Sequence, residues 1–155
     1  MTQLVVPELD VTSLDDSLAF YVGMLGFHVV FERPAERFAY LALEEAELML
    51  QEAAGPGRRF RTARLERPLG RGVNFQLAVP DVDAMYERLL AAGHEPIVAM
   101  EERWYGVNVV GGSARWSRSG PTEVGNRQFV VADPDGYLWR PFRDLGVHSV
   151  VERRS

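Results

Sequence analysis

Two stretches of this chain repeat the same order of signals, and that repeat restricts the fold more than any other feature. In the first, Leu4–Val11 reads as a short strand. Ser13 then stands where a helix cap is needed, with Asp16 three residues on, and Gly26 stops the helix after Leu25. Leu14, Leu18, Tyr21, Val22 and Leu25 follow the helical period. In the second, Val73–Val79 is the strand and Asp81 the cap. Val82, Met85, Tyr86, Leu89 and Leu90 form the apolar stripe, and Gly93 ends it. The two caps lie 68 positions apart (81 − 13).

Three strand candidates follow each helix. They are Phe27–Arg33, Arg37–Leu43 and Ala46–Glu52 in the first half, and Glu95–Met100, Trp104–Val110 and Asn126–Ala132 in the second. A further hairpin partner, Tyr137–Arg143, comes after Asp133-Pro134-Asp135-Gly136. That tetrapeptide has the proline and glycine placement of a type I turn. It is acidic, but a calcium loop needs more ligands at set spacings, so it reads as a turn only. Pro141 cannot donate to a ladder, which predicts an edge or a bulge in the last strand.

The organisation expected is a first module over 1–54, an Arg/Gly/Pro-rich linker over 55–72, and a second module over 73–145. The second carries a Gly-rich insertion at 106–124, and 146–155 is a tail. A net charge of −5 argues against a nucleic-acid partner. Absence of cysteine excludes disulfides and thiolate metal sites, and all 17 basic residues are arginine, which excludes a lysine Schiff base and a P-loop. No apolar run approaches 18 residues and no leader-like segment precedes the first strand, so the expectation is a cytoplasmic protein with no membrane contact.

A strand–helix–three-strand unit occurring twice resembles the glyoxalase / bleomycin-resistance / extradiol-dioxygenase (vicinal oxygen chelate) superfamily. The likeness is carried by Pro7-Glu8-Leu9-Asp10-Val11, Asp16-Ser17-Leu18-Ala19-Phe20-Tyr21, Leu25-Gly26-Phe27, Gly125-Asn126-Arg127-Gln128-Phe129 and Asp133-Pro134-Asp135-Gly136-Tyr137. Each segment alone is weak, while their order and spacing together are specific. The resemblance implies an α+β fold of two βαβββ modules, a curved mixed sheet with a concave cavity, and a homodimer.

Enzymes of the family hold a divalent metal in that cavity on His or Glu from four strands. Counting from the shared motifs places those positions at Val6, Met49, Asn74 and Arg140. Valine has no donor atom, a thioether suits soft metals, an amide is a poor ligand and arginine is a cation. A register slip of one residue does not restore the set, and Glu8, on the face of Val6, is a single carboxylate. His28 and His94 follow the two helix stops and read as structural; His148 lies in the tail. No metal and no cofactor are therefore expected.

Strand parity, if the strands are right, turns Val5, Leu9, Val11, Val73, Phe75, Leu77 and Val79 toward the helices. The opposite face carries Val6, Glu8, Asp10, Asn74, Gln76, Ala78, Glu47, Met49, Gln51, Leu138, Arg140 and Phe142. Either Glu8 and Arg140 neutralise one another there, or they meet a ligand. The resemblance also implies that metal-free relatives sequester a drug in grooves at the dimer interface, stacking rings on its flat part. Phe38, Trp104, Tyr105 and Trp116 are the candidates for stacking, each with ordinary packing as its competing role, and Glu101 and Glu102 could partner a cation. Against a cationic ligand stand Arg140 and the Arg58–Arg71 stretch, which holds six arginines and one glutamate. The expected ligand-binding set is Glu8, Phe38, Met49, Asn74, Gln76, Trp104, Tyr105, Trp116 and Arg140. The expected function is stoichiometric capture of a small molecule. The alternatives are a lyase or isomerase on a small substrate, anionic or neutral, with Glu8 as base and Arg140 as oxyanion partner, and a metal-dependent glyoxalase or dioxygenase.

Overall fold

In the computed structural model, which describes residues 5–109 and 120–149, the repeat is realised twice. The first module is β1 (Glu8–Val11), α1 (Leu14–Gly23), β2 (His28–Arg33), β3 (Phe38–Leu43) and β4 (Ala46–Glu52). The second is β5 (Asn74–Ala78), α2 (Val82–Ala91), β6 (Val98–Val109), β7 (Gly120–Ala132) and β8 (Leu138–Ser149). Each forms a four-stranded mixed sheet with the same order, β1-β4-β3-β2 and β5-β8-β7-β6. In each the first strand runs parallel to the last. No helix among the described residues is long and apolar enough to cross a membrane.

The helices begin where the caps dictate. Ser13 accepts from the Asp16 amide at 3.2 Å, and Asp81 accepts from the Ala84 amide at 2.9 Å. Gly26 and Gly93 take positive φ, at 84° and 83°, just past the helix ends. Leu14, Tyr21 and Leu25 bury the α1 stripe, joined by Phe20, while Val22 stays on the outer flank. Val82, Met85 and Leu89 do the same for α2. These residues, the inner faces of both sheets and the Tyr137–Trp139 segment make one contiguous core.

Several expectations need correction. Val5 lies outside β1 and is 82% exposed, so it does not face a helix. The two strands expected over 95–110 are one, β6. Its charged middle stays in the sheet because its side chains find cross-strand partners: Glu101 accepts from Gln128 and Glu102 pairs with Arg127. Residues 106–109 and 120–124, expected in an irregular insertion, pair with one another as the continuation of the β6–β7 hairpin. Likewise β8 runs on to Ser149, into the expected tail. With β6 continuous, β8 is the fourth strand of the module and no extra partner remains. Pro141 sits in this interior strand, opposite Leu77, and not at an edge. The β7 ladder skips from Phe142 to Trp139 around it, which accommodates the missing N–H.

Candidate functional site

Alternation puts Leu9, Val11, Leu48 and Leu50 into the core and leaves the other face of the first sheet open. Register aligns Glu8, Met49, Tyr40 and Phe31 across the four strands of that face. Phe31 stacks on Tyr40, with ring centroids 4.8 Å apart. The Tyr40 hydroxyl donates to Glu47 at 2.5 Å, and that bond first of all holds the phenol above its usual pKa. Glu8, at the open end of the row, is exposed.

The next row, Asp10, Gln51, Phe38 and Arg33, is covered. The Arg33 guanidinium lies 4.0 Å from the Phe38 ring centroid, and Phe38 is 2% exposed. Arg61 donates twice to the Asp10 carboxylate, at 3.0 and 2.8 Å. Gln51 donates to the Arg58 carbonyl at 2.9 Å. The linker thus lies across this end of the face, and Phe38 presents no free ring. Phe31 and Tyr40, absent from the sequence-derived set, are the aromatics that stand on the open row. The alternation Phe38–Tyr40–Ala42 was the available signal for Tyr40.

On the second sheet, Asn74, Leu138 and Ala132 align in one row and Gln76 faces Arg140 in the next. A third row holds Ala78, Phe142, Gln128 and Glu101. A cavity of about 550 Å³ opens at the Asn74 end, lined by Asn74, Leu138, Ala132, Ile97 and linker residues from Pro68 to Val73. That volume is within the range of small-molecule sites, roughly 300–1,000 Å³. Tyr105 joins this face by accepting at its hydroxyl from the Gln128 amide, at 2.6 Å.

Trp104 does not join it. Glu102 pairs with Arg127, which donates twice to Asp83 of α2, so that side of β6 is the helix side, and Trp104 shares it. The indole lies over Gly125, where an added Cβ would come within 2.7 Å of the ring, and it packs against His148 at 4.4 Å. Trp116 lies outside the described residues. Glu8 and Met49 are therefore neighbours on one sheet. Asn74, Gln76, Arg140 and Tyr105 share the other.

A clasp that no spacing in the sequence announces joins the modules. Tyr21 of α1 donates to Asp133 at 2.7 Å and accepts from the Trp139 indole N–H at 3.0 Å. The amides of Asp135 and Tyr137 donate to the other Asp133 oxygen, at 2.9 and 2.8 Å. Burial holds Asp133 above the usual carboxylate range, although Tyr21 and the two amides pull the other way. Burial likewise raises Tyr137, to about 12. Asp135, 2% exposed, accepts from the Thr12 amide and from Arg67, both at 2.8 Å. The linker arginines are largely structural ties: Arg59 donates to backbone carbonyls of Glu52 and Gly55, Arg61 binds Asp10, and Arg67 binds Asp135. The charges of Arg61 and Arg67 are thereby matched, and Arg71 pairs with Glu66 at 3.4 Å, while Arg58 lies over the Phe60 ring.

At the positions that the resemblance assigns to a metal, the side chains of Val6, Met49, Asn74 and Arg140 do not make a donor set for Zn²⁺, Ni²⁺, Mn²⁺ or Fe²⁺. Met49 belongs to the first sheet and Val6 precedes its first strand, while Asn74 and Arg140 belong to the second. Among the described residues no three His, Asp or Glu side chains converge as a metal site. His94 packs edge-on against Phe20 at 5.5 Å, as a structural residue would, and His28 is exposed.

A family model described as "Glyoxalase/Bleomycin resistance protein/Dioxygenase superfamily" matches residues 3–140. Among solved structures, TioX from Micromonospora sp. ML1 is 23% identical, with 93% of this chain and 100% of that chain covered and a TM-score of 0.62. An integron cassette protein of V. cholerae is 14% identical, with 92% and 95% covered and a TM-score of 0.65. A superfamily member from Vibrio splendidus 12B01 is 34% identical, with 89% and 95% covered and a TM-score of 0.37. The first two likenesses are of fold. No curated protein matches the chain.

Proposed function

Given that the chain belongs to the glyoxalase/bleomycin resistance protein/dioxygenase superfamily, we propose that it captures a small molecule without a metal and without transforming it. The observation that carries this reading is the replacement of all four metal positions by Val6, Met49, Asn74 and Arg140 on faces that otherwise have the make-up of a binding site. Those faces combine exposed apolar and aromatic surface, a cavity of about 550 Å³ and a few placed polar groups.

The ligand lies, in this reading, between the open face of the second sheet and that of the first sheet from a second copy. Support for a second copy comes from surface a lone chain leaves open: Val29, Val30 and Phe31 on β2, and Ile97 and Val98 by the cavity, are all exposed. Sedimentation velocity at micromolar protein would give a dimer; a monomer at every concentration removes the shared site. Within one chain Glu8 is exposed and stands on the first sheet while Arg140 stands on the second, so one chain does not set them together as base and oxyanion partner. The enzyme alternative has no comparable support.

Bleomycin is the first drug to test, by titration calorimetry with protein at tens of micromolar. Saturable heat at one or two sites per dimer supports drug capture. No heat removes bleomycin as the ligand and leaves a planar metabolite of other charge.

A further inference from the structure

Three buried polar atoms on the side of the second sheet turned away from the helices, beyond the Asn74 cavity, have no hydrogen-bond partner among the described residues. They are the side-chain oxygens of Asn126 and Gln128 and the Nε of Arg140. Asn126 is 5% exposed and Gln128 3%. The two amides are two residues apart on β7 and share a face. Gln128 stands opposite Phe142 of β8, two residues along from Arg140 on the same side of the sheet. Along the sheet, Asn126 and Arg140 thus flank the Gln128–Phe142 row from opposite sides, with Gln128 the amide nearer to Arg140.

The orientation of Gln128 is determined by its neighbours. Its amide nitrogen donates to the Tyr105 hydroxyl at 2.6 Å and to the Glu101 carboxylate at 3.2 Å. Flipping the amide would set its oxygen against that carboxylate, acceptor to acceptor. The open atom of Gln128 is therefore an acceptor, and whatever fills the site has to donate to it. Arg140 asks for the opposite, because a guanidinium N–H has no lone pair to offer. Leaving such buried groups unpaired is costly, so a molecule that meets the Gln128 acceptor and the Arg140 donor gains affinity over an analogue that misses either.

We propose that the ligand is a flat nitrogen heterocycle with an N–H that reaches Gln128 and an adjacent carboxylate that reaches Arg140. The inference rests on reading this face as the ligand site. It goes further by assigning the ligand's charge as negative and by requiring a donor edge. Phe142 supplies the ring beside which a planar molecule gains offset stacking. Selectivity follows from the polar pattern more than from shape, since a site built to meet a hydrogen-bonding group discriminates strongly against analogues that lack it.

The test uses three probes of similar size on the unaltered protein, followed by amide chemical-shift mapping: indole-2-carboxylate, 1-methylindole-2-carboxylate and naphthalene-2-carboxylate. Indole-2-carboxylate is expected to bind about tenfold more tightly than either of the other two, the effect of one lost hydrogen bond to a buried acceptor. Its shifts should centre on Gln128, Asn126 and Phe142. Arg140→Gln should weaken all three carboxylates by a similar factor. If all three probes bind this face equally, the donor requirement is wrong while the site stands. If none perturbs either open face at millimolar concentration, the site itself is wrong. The ligand series needs no variant, so a misfolded Arg140→Gln would not obscure the result.

Discussion

Tyr21 on α1 donates its hydroxyl to the Asp133 carboxylate at 2.7 Å, joining the helix of the first module to the β7–β8 turn of the second across 112 positions of chain. The same hydroxyl accepts from Trp139, so one oxygen serves a carboxylate and an indole in the interior. This bond and the Thr12–Asp135–Arg67 contacts fix how the two modules sit together, and hence which sheet faces remain open.

Tyr21→Phe removes a donor from Asp133 and the acceptor of Trp139, both buried. An unpaired buried polar group costs about 1–3 kcal/mol. For a chain of this size, where 1 kcal/mol moves the melting temperature by about 2–4 °C, the fall should be about 2–12 °C. Because the lost bond favours ionised Asp133, whose pKa burial already raises, the deficit should be larger at neutral pH than at about pH 4. Near-ultraviolet circular dichroism melts at the two pH values read both effects. An unchanged melting temperature would remove the clasp from the stability of the fold.

Glu52 gives the acid limb of the stability curve its sign. Arg37 first, and then the Leu14 amide that Glu52 caps, hold its carboxyl below the ordinary range. Its folded pKa is thus lower than its unfolded one. The stability it contributes is present above about pH 4.3 and is lost as pH falls through the lowered folded value. Glu52→Gln should melt earlier than the parent at neutral pH, and its melting temperature should depend less on pH between about 5 and 3. Parallel curves for the two proteins would show that the Arg37 pair contributes nothing measurable.

Gly70 is held against backbone. A Cβ there would lie 2.5 Å from the Tyr137 Cα and 2.6 Å from the Gly136 carbonyl oxygen, neither of which can rotate away. Gly70→Ala should destabilise by about 1–3 kcal/mol, as overpacking does. Gly106→Ala, where a Cβ meets nothing within 4 Å, should be neutral or stabilising. Urea denaturation of both compares them directly, and equal midpoints would contradict the close packing of the linker on the β7–β8 turn.

The repeat, the helix caps and the alternation of β1, β4 and β5 were legible because they are local signals: Ser13, Asp81 and the faces of Leu9, Val11 and Leu77 stand as expected. What was not legible depends on partners distant in sequence. Glu101-Glu102-Arg103 reads as a break until Gln128 and Arg127 are seen beside it. Trp104 looks like a cavity ring until the Asp83–Arg127 pair shows which side of β6 meets α2. The linker arginines read as free charge because Asp10 and Asp135, their partners, lie 51 and 68 positions away.

Loss of the family's metal is tested most directly by mass-spectrometric metal analysis of untagged protein. The protein is incubated with excess Zn²⁺, Ni²⁺, Mn²⁺ and Fe²⁺ and then desalted. With Val6, Met49, Asn74 and Arg140 at the ligand positions, retention far below one ion per chain is predicted. About one tightly held ion per chain, as a site with three or more competent ligands would keep, would contradict the reading and return the chain to the metal-dependent enzymes of its superfamily.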